Sequence, residues 1–177
     1  MAENNDNVSS AGRLYAFWGV AGFVWLLIDA IVRLAVLAVK GIGGGLTAVE
    51  WVGLVVFVLF MAYAEGYRGF QLSFAPRTAA RAYYLYKHPD ALSGLLAPLF
   101  CMGYFRGTRR PLLVAWVGTV LIVSMLLGLR AVPQPWRAIV DAGVVVGLSW
   151  GLVSFLWNVR LAFRDKAYPA SPEVPGH

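Results

Sequence analysis

Cysteine and histidine are almost missing from this chain, which has one cysteine and two histidines in 177 residues. The single thiol of Cys101 cannot form a disulfide within the chain or supply the ligands of a metal–thiolate cluster. His88 and the C-terminal His177 give no pair of axial ligands for a membrane haem, and they are too few for a zinc or iron site built on several histidines. The sequence therefore predicts no metal and no other cofactor.

Recognisable catalytic groupings are missing as well. The one histidine with a carboxylate nearby lies in His88-Pro89-Asp90, where the spacing to any serine is not that of a hydrolase, so we interpret Asp90 as a helix cap. The glycine-rich segment 41–45 lacks the Lys-Ser/Thr pair of a phosphate-binding loop. These absences favour a protein that is not an enzyme.

Charged residues are scarce and apolar residues abundant. The chain is 14% charged and 59% apolar, with a mean hydropathy of +0.66, whereas soluble domains contain about 25% charged and about 45–50% apolar residues. A water-soluble core of this size could not bury so much apolar surface, so part of the chain must face lipid. The net charge of +6 is interpreted as an excess of Lys and Arg in cytoplasmic loops and not as a nucleic-acid interface.

Four long apolar runs indicate membrane-spanning helices. About 20 helical residues cross a hydrocarbon core of about 30 Å. The runs that meet this length are residues 14–39, 47–64, 111–129 and 136–158. The predicted fold class is therefore an all-α membrane protein, with four transmembrane helices in a single domain, 14–166. Residues 1–13 are expected to form a polar tail, and residues 167–177, which have three prolines and no periodicity, a disordered one.

The stretch between the second and third spans, residues 65–110, is predicted to be an interfacial helical segment on the cytoplasmic side. Pro76 is expected to end any helix that continues from the second span, because proline restricts the residue before it. A short surface helix would then expose Arg77 and Arg81 to lipid headgroups. Residues 88–105 have leucines at helical spacing but are too short to cross a bilayer, so they are expected to be interfacial or re-entrant.

The distribution of Lys and Arg predicts the orientation. If the N-terminus is cytoplasmic, Lys40, Arg130 and Arg137 lie outside, with Arg33 close to them, and every other Lys and Arg lies inside. Such a bias follows the positive-inside rule. The sequence therefore predicts a multi-pass membrane protein with both termini in the cytoplasm.

One group of candidate functional residues lies in the basic central stretch, where membrane lipids or a partner protein could bind. Arginine binds lipid phosphate well because its guanidinium donates several hydrogen bonds. The group consists of Glu65, Arg68, Arg77, Arg81, Arg109 and Arg110. The alternative for Glu65 and Arg68, three residues apart, is an ion pair that only ends the second span.

A second group consists of ionisable residues in the outer half of the spans: Asp29, Arg33, Glu50 and Asp141. Such groups are costly in a bilayer and usually face the interior of a helix bundle. They could line the ion path of a small oligomeric channel or transporter. The alternative is structural, with Asp29 and Arg33 forming a pair at i, i+4 and the two other acids complementing helix N-termini.

Three glycines at four-residue spacing mark one face of the fourth span: Gly143, Gly147 and Gly151. Small residues at this spacing allow another helix backbone to approach closely. The face could pair with a second copy of the chain or pack against the other spans of the same chain.

Several stretches resemble a family of uncharacterised proteobacterial inner-membrane proteins: Glu65–Gln71, Ala97–Gly103, Pro133–Arg137 and Asp141–Gly147. The resemblance implies a location in the inner membrane and implies no activity. We therefore expect a non-enzymatic membrane protein that acts through contacts with lipids, with other membrane proteins or with itself. The small channel or transporter is the alternative.

Overall fold

The computed structural model describes residues 9–164 and 168–174, and every regular element in these residues is a helix. The predicted all-α fold is confirmed, and four of the helices are long and apolar enough to cross a membrane. In chain order the helices are α1 (Ser10–Ile42), α2 (Ala48–Lys87), α3 (Ala91–Leu95), α4 (Ala97–Met102), α5 (Arg109–Leu129) and α6 (Trp136–Arg164).

Helix α1 begins earlier than the sequence predicted. Ser9 caps it by accepting a hydrogen bond from the Gly12 amide at 3.1 Å, so residues 10–13 belong to the helix and not to a polar tail. A turn around Gly45, whose φ of 90° favours glycine, leads to α2. Thr47 and Glu50 form a capping box there, in which the Glu50 carboxylate accepts from the Thr47 amide at 2.7 Å.

Helix α2 does not end at Pro76, as the sequence predicted, but continues to Lys87. It changes register twice: residues Ala48–Met61 are α-helical, Ala62–Phe74 form a π-helix, and Ala75–Lys87 are α-helical again. Pro76 sits in the first turn of this last part, directly after the π-helix. The helix continues past Pro76 because proline, which has no N–H, stands where the hydrogen bonds change from the i→i+5 to the i→i+4 pattern.

Helices α1, α2 and α6 form the bundle. Its core contains Phe23 and Leu27 of α1, Ala75 of α2 and Phe155 of α6. The rings of Phe23 and Phe155 meet edge to face with centroids 4.8 Å apart. Helix α5 stands beside this bundle, and none of its residues is buried.

The first part of α1, the last parts of α2 and α6, and the short helices α3 and α4 lie together at one end of the bundle, which we call the basic end. Phe163 of α6 meets Tyr83 and Tyr86 of α2 there. Residues 88–105, predicted to be interfacial or re-entrant, form α3, α4 and their connections, packed on α1. The leucines of their stripe face outward: Leu92, Leu95, Leu96 and Leu99 are exposed, while Ala97, Phe100 and Cys101 are buried.

The C-terminal segment 168–174 has no regular structure but is packed against the basic end. Tyr168 donates a hydrogen bond to the Asn158 side chain at 2.5 Å, and Val174 joins the core of Phe100 and Cys101. These residues of the predicted disordered tail therefore contact the basic end. Residues 165–167 and 175–177, like residues 1–8 of the N-terminal tail, lie outside the described residues.

Candidate functional site

Tyr104 contacts the N-terminal half of helix α5 as far as its middle. The Tyr104 hydroxyl and the Thr119 hydroxyl are hydrogen-bonded at 2.5 Å. The indole of Trp116 donates to the Tyr104 carbonyl at 3.2 Å, and the two rings meet edge to face. Tyr104 thus acts as a spacer that separates α5 from the bundle.

This separation leaves a crevice of about 370 Å³ between α5 and the bundle. Its walls are mostly apolar and come from α1, α2, α4, α5 and α6: they include Phe23, Leu27, Phe70, Phe74, Met102, Val114, Ile122 and Leu148. Its polar side chains are Glu65, Arg77, Thr78, Arg81, Tyr104, Thr119 and Glu173. Arg77 and Arg81 mark its basic end, whereas Leu27 and Ile122 lie towards the other end of the bundle.

The π-helix places two parts of α2 on the same wall. Glu65 and Phe74 both line the crevice, although they are nine residues apart. In an α-helix nine residues make about 2.5 turns, so the two side chains would point in opposite directions. The wider π register brings them to one side, and π-helical segments are frequent at functional sites.

Glu65 is half-buried where α2 crosses the glycine face of α6. A Cβ placed on Gly147 would lie 3.1 Å from Oε2 of Glu65, so the carboxylate packs directly on the α6 backbone. Arg68 is exposed, and no ion pair joins it to Glu65 in the part of the chain that the structure describes. The alternative of a pair that ends the span is therefore wrong.

Arg81, which was predicted to face lipid headgroups, is buried with 2% of its surface exposed. Its Nη1 donates to the Phe100 carbonyl at 2.9 Å and to the Phe105 carbonyl at 3.4 Å, and its Nη2 donates to the Glu173 carbonyl at 3.4 Å. The guanidinium lies 5.3 Å from the centre of the Phe100 ring. Arg81 is buried because carbonyls at the end of α4 and in the C-terminal segment satisfy it.

Arg77 lies one turn before Arg81 and stays partly accessible, with 31% of its side chain exposed. It donates to the Ser73 carbonyl at 2.9 Å and to the Ser73 hydroxyl at 2.8 Å. Its Nη1 is 3.7 Å from the Glu173 carboxylate, whose Oε2 is buried without a hydrogen-bond partner among the described residues. Sequence reasoning missed Glu173, since nothing in a proline-containing tail without periodicity marks it.

The other candidate lipid-binding residues, Arg68, Arg109 and Arg110, are exposed and do not line the crevice. Arg109 and Arg110 nevertheless begin α5, directly before Pro111, which does line it. Thr108 occupies the cap position of α5, but its side chain makes no capping hydrogen bond. In the described residues the amides of Arg109 and Arg110 therefore receive no side-chain cap, Pro111 has no N–H, and the Leu112 amide donates to the Thr108 carbonyl at 3.3 Å.

The four outer ionisable residues are not joined to one another across helices by hydrogen bonds or ion pairs in the described residues. Asp29 and Arg33 pair with each other at 2.9 Å, and Glu50 caps its own helix. Asp141 is buried on α6, and its Oδ2 has no hydrogen-bond partner in the described chain. The structure thus brings Asp29 and Arg33 together but places Glu50 and Asp141 separately.

The glycine face of α6 meets α2 of the same chain. A Cβ on Gly143 would contact the ring of Phe57, one on Gly147 would contact Glu65, and one on Gly151 would contact the ring of Phe70. The interpretation of Asp90 as a cap is also confirmed: its carboxylate accepts from the Ser93 amide at 3.0 Å, and this bond lowers the pKa of the Asp90 carboxyl. No cluster of metal-ligating side chains occurs in residues 9–164 and 168–174.

Comparison with known protein families, characterised proteins and solved structures finds no match for this chain. The resemblance to proteobacterial inner-membrane proteins therefore stays a prediction. The crevice beside α5 is the site at which apolar walls and several of the predicted residues come together.

Proposed function

We propose that this chain is a non-enzymatic multi-pass membrane protein that holds an anionic phospholipid in the crevice between α5 and the bundle. The observation that carries the proposal is the arrangement of the crevice along its length. Apolar walls from Leu27 and Ile122 lead to a polar end with Arg77 and Arg81. An amphiphile with a negative headgroup has the same order of apolar and charged parts.

The headgroup end has an excess of positive charge. Arg77 and Arg81 face the single carboxylate of Glu173, and Arg109 and Arg110 follow at the start of α5. Arginine donates charge-assisted hydrogen bonds to phosphate oxygens, and the free amides at the start of a helix also favour an anion. The Arg77 side chain is the main headgroup ligand in this proposal, because 31% of it is exposed, whereas Arg81 is 2% exposed and donates to three carbonyls.

The size of the crevice fits part of a lipid and not all of it. A volume of about 370 Å³ lies near the lower end of the range of ~300–1,000 Å³ for ligand pockets. The headgroup and the first part of the acyl chains would occupy it. The remaining chain would follow the exposed apolar surface of α5 into the bilayer, which is open to it because α5 has no buried residue.

The orientation of the protein follows from the same charges. The basic end carries most of the Lys and Arg of the described chain, so the positive-inside rule favours a cytoplasmic basic end. The bound lipid would then belong to the cytoplasmic leaflet. Because that leaflet attracts basic segments through its anionic lipids, the orientation and the proposed ligand support each other.

Lipid analysis of the purified protein tests the proposal. The protein would be purified in mild detergent, and its bound lipids would be measured by mass spectrometry against the lipids of the membrane. We expect anionic phospholipid to be enriched several-fold, and Arg77→Gln to remove most of that enrichment. Arg13→Gln, which removes an exposed cation at the same end, should leave it unchanged.

A second pair of variants tests the crevice without changing charge. Gly118 lines the crevice and has open space around it, so Gly118→Trp should fill the crevice and displace the lipid. Val120→Trp adds the same ring to an exposed position of α5 that does not line the crevice. Equal lipid content in the two variants, or native protein with the lipid composition of the bulk membrane, would refute the proposal.

A further inference from the structure

An ion pair lies in the middle of α1, far from the ends of the helix. Asp29 is 13 residues before Ile42 and Arg33 is nine residues before it. At about 1.5 Å per residue these distances are about 20 Å and about 14 Å. Both residues therefore lie within α1, which is longer than the hydrocarbon core of about 30 Å that it is expected to cross.

The pair faces away from the protein. The side chain of Asp29 is 41% exposed and that of Arg33 is 76% exposed, whereas Leu27, on the opposite side of α1, is buried in the bundle. Ionisable groups inside membranes are costly and almost always face other protein groups or water-filled cavities. Pairing removes the net charge but does not satisfy the arginine. Only Nε of its guanidinium donates within the described chain, so the terminal nitrogens have no partner there.

The ion pair belongs to a continuous exposed seam. The residues of the seam are Trp25, Asp29, Val32, Val36 and Val39, whose exposed fractions range from 41% for the Asp29 side chain to 70% for Val39. Their spacing of four, three, four and three residues is the repeat with which two helices pack side by side. The seam thus has the spacing of a helix-packing surface, and no other helix of the chain covers it in the described residues.

We infer that a second copy of this chain covers the seam, and that Asp29 and Arg33 of the two copies form reciprocal ion pairs across the interface. Two copies in one membrane have the same orientation, so their α1 helices run parallel and a two-fold axis relates them. Because Asp29 is on the seam, the two Asp29 carboxylates face each other across this axis. Arg33 lies one turn further along and beside the seam, so its long side chain can extend across to the carboxylate of the other copy.

The charges favour this occupant over others. An unrelated helix would need an acid and a base at matching positions of one face, whereas a second copy always has them, because a two-fold interface is self-complementary. Helix α5 of the same chain cannot cover the seam, since it faces Phe23 and Leu27 on the other side of α1. In the pair, the terminal nitrogens of each Arg33 reach a carboxylate that they lack in the single chain.

Cysteine cross-linking of the full chain in membranes tests the position of the interface. Val32→Cys and Val36→Cys place a thiol on the seam, and Val56→Cys places one on the exposed surface of α2. The native Cys101 is buried and should not react. We expect mild oxidation to produce a covalent dimer from the two seam variants, at least tenfold more than from Val56→Cys. Equal yields, or adducts only with another protein, would overturn the inference.

Charge exchange tests the ion pairs themselves, with the yield of the Val32→Cys cross-link as the measurement. Asp29→Arg alone, or Arg33→Asp alone, gives two like charges in each copy, and each should lower the yield about tenfold. Co-expression of the two variants with different tags should restore the mixed dimer, because only the mixed pair is complementary. A failure of the mixed pair to form, or native yields from the single variants, would overturn the proposed ion pairs.

The double exchange, Asp29→Arg with Arg33→Asp in one chain, shows whether the single changes act by unfolding the helix. This chain keeps an ion pair within its own helix and also keeps the reciprocal pairs between copies. It should therefore dimerise within about twofold of the native yield. A monomeric double exchange would overturn the inference, because both kinds of pairing remain possible in it.

Discussion

Replacement of the buried Arg81 by methionine should loosen the basic end of the protein. Methionine keeps much of the apolar volume and can still contact the Phe100 ring, but it donates no hydrogen bond. Three carbonyls lose their donor: Phe100 at 2.9 Å, and Phe105 and Glu173 at 3.4 Å each. We expect α4 and the C-terminal segment to open more often, because Arg81 joins both to α2.

The size of the effect follows from these distances. A hydrogen bond to a charged group contributes about 1.5–3 kcal/mol, and an unsatisfied buried partner adds a penalty of similar size. Only the bond to Phe100 has an ordinary length, and the two bonds of 3.4 Å contribute little. We therefore expect the free energy of local opening to fall by about 2–3 kcal/mol, which corresponds to about a 30- to 150-fold larger open population at a factor of ten for each 1.36 kcal/mol.

Cys101 provides the assay, since it lies in α4 beside Arg81 and is only 1% exposed. Burial raises the pKa of its thiol to about 12, so almost no thiolate exists in the closed state and labelling requires opening. The rate of maleimide labelling at constant pH should rise by about the same 30- to 150-fold in Arg81→Met. Loss of the arginine charge would raise the thiol pKa further and slow direct labelling, so an acceleration reports opening.

Arg13→Met is the matched control, because it removes an exposed cation at the same end, and its labelling rate should stay within about twofold of native. If Arg81→Met is labelled no faster than this control, the three hydrogen bonds do not stabilise the basic end. The burial of Arg81 would then have to be explained by the surrounding apolar packing alone.

Three further results are expected. Gly147→Leu should lower the free energy of unfolding in detergent by about 1–3 kcal/mol, because a Cβ there already lies 3.1 Å from Glu65. Gly118→Leu adds the same side chain where there is open space and should change the stability little. Equal unfolding midpoints of the two variants would contradict the packing of Gly147 on Glu65. Thr47→Ala removes the capping box of α2 and should cost about 1 kcal/mol in the same assay. Burial raises the pKa of Tyr168 to about 12 from an ordinary value of 10.0. Between these pH values the tyrosine of the unfolded state ionises first, so the free energy of unfolding should fall as the pH rises. Tyr168→Phe should make this fall with pH smaller.

The four spans could be predicted from the sequence because length and apolar content are local properties. A run of about 20 apolar residues must be helical in lipid, whatever surrounds it. The course of α2 could not be predicted in the same way. A helical wheel with 3.6 residues per turn places Glu65 and Phe74 on opposite sides, and the rule that proline ends a helix assumes an α-helix before Pro76. In the π register, Glu65 and Phe74 lie on the same side of α2, and the helix continues through Pro76.

The burial of Arg81 could not be predicted because its partners are distant in the sequence. Phe100, Phe105 and Glu173 are 19, 24 and 92 residues away, and no local pattern shows that their carbonyls converge. Its neighbour Arg77, one turn earlier in the same helix and with the same charge, stays partly exposed. The expectation that arginine side chains are exposed therefore holds for Arg77 and fails for Arg81.

The position of α5 is a third feature that hydropathy does not determine. Its exposed side chains are apolar around the helix, and such a helix is equally suited to the centre of a bundle or to lipid. Tyr104 contacts α5 through its hydrogen bond to Thr119 and its ring contact with Trp116, and these contacts come from a residue outside the spans. Hydropathy therefore does not show that a crevice lies between α5 and the bundle, with Tyr104 among its lining residues.

The crevice and the packing of the bundle share one side chain. Glu65 lines the crevice and also packs on Gly147, where the absence of a side chain lets α2 approach α6. The glycine face of α6 therefore fixes the wall of the crevice in addition to stabilising the bundle. Helix α5 forms the opposite wall; it has no buried residue and is held through Tyr104. In the proposed complex, a lipid would therefore lie between the wall that carries Glu65 and the exposed apolar side chains of α5.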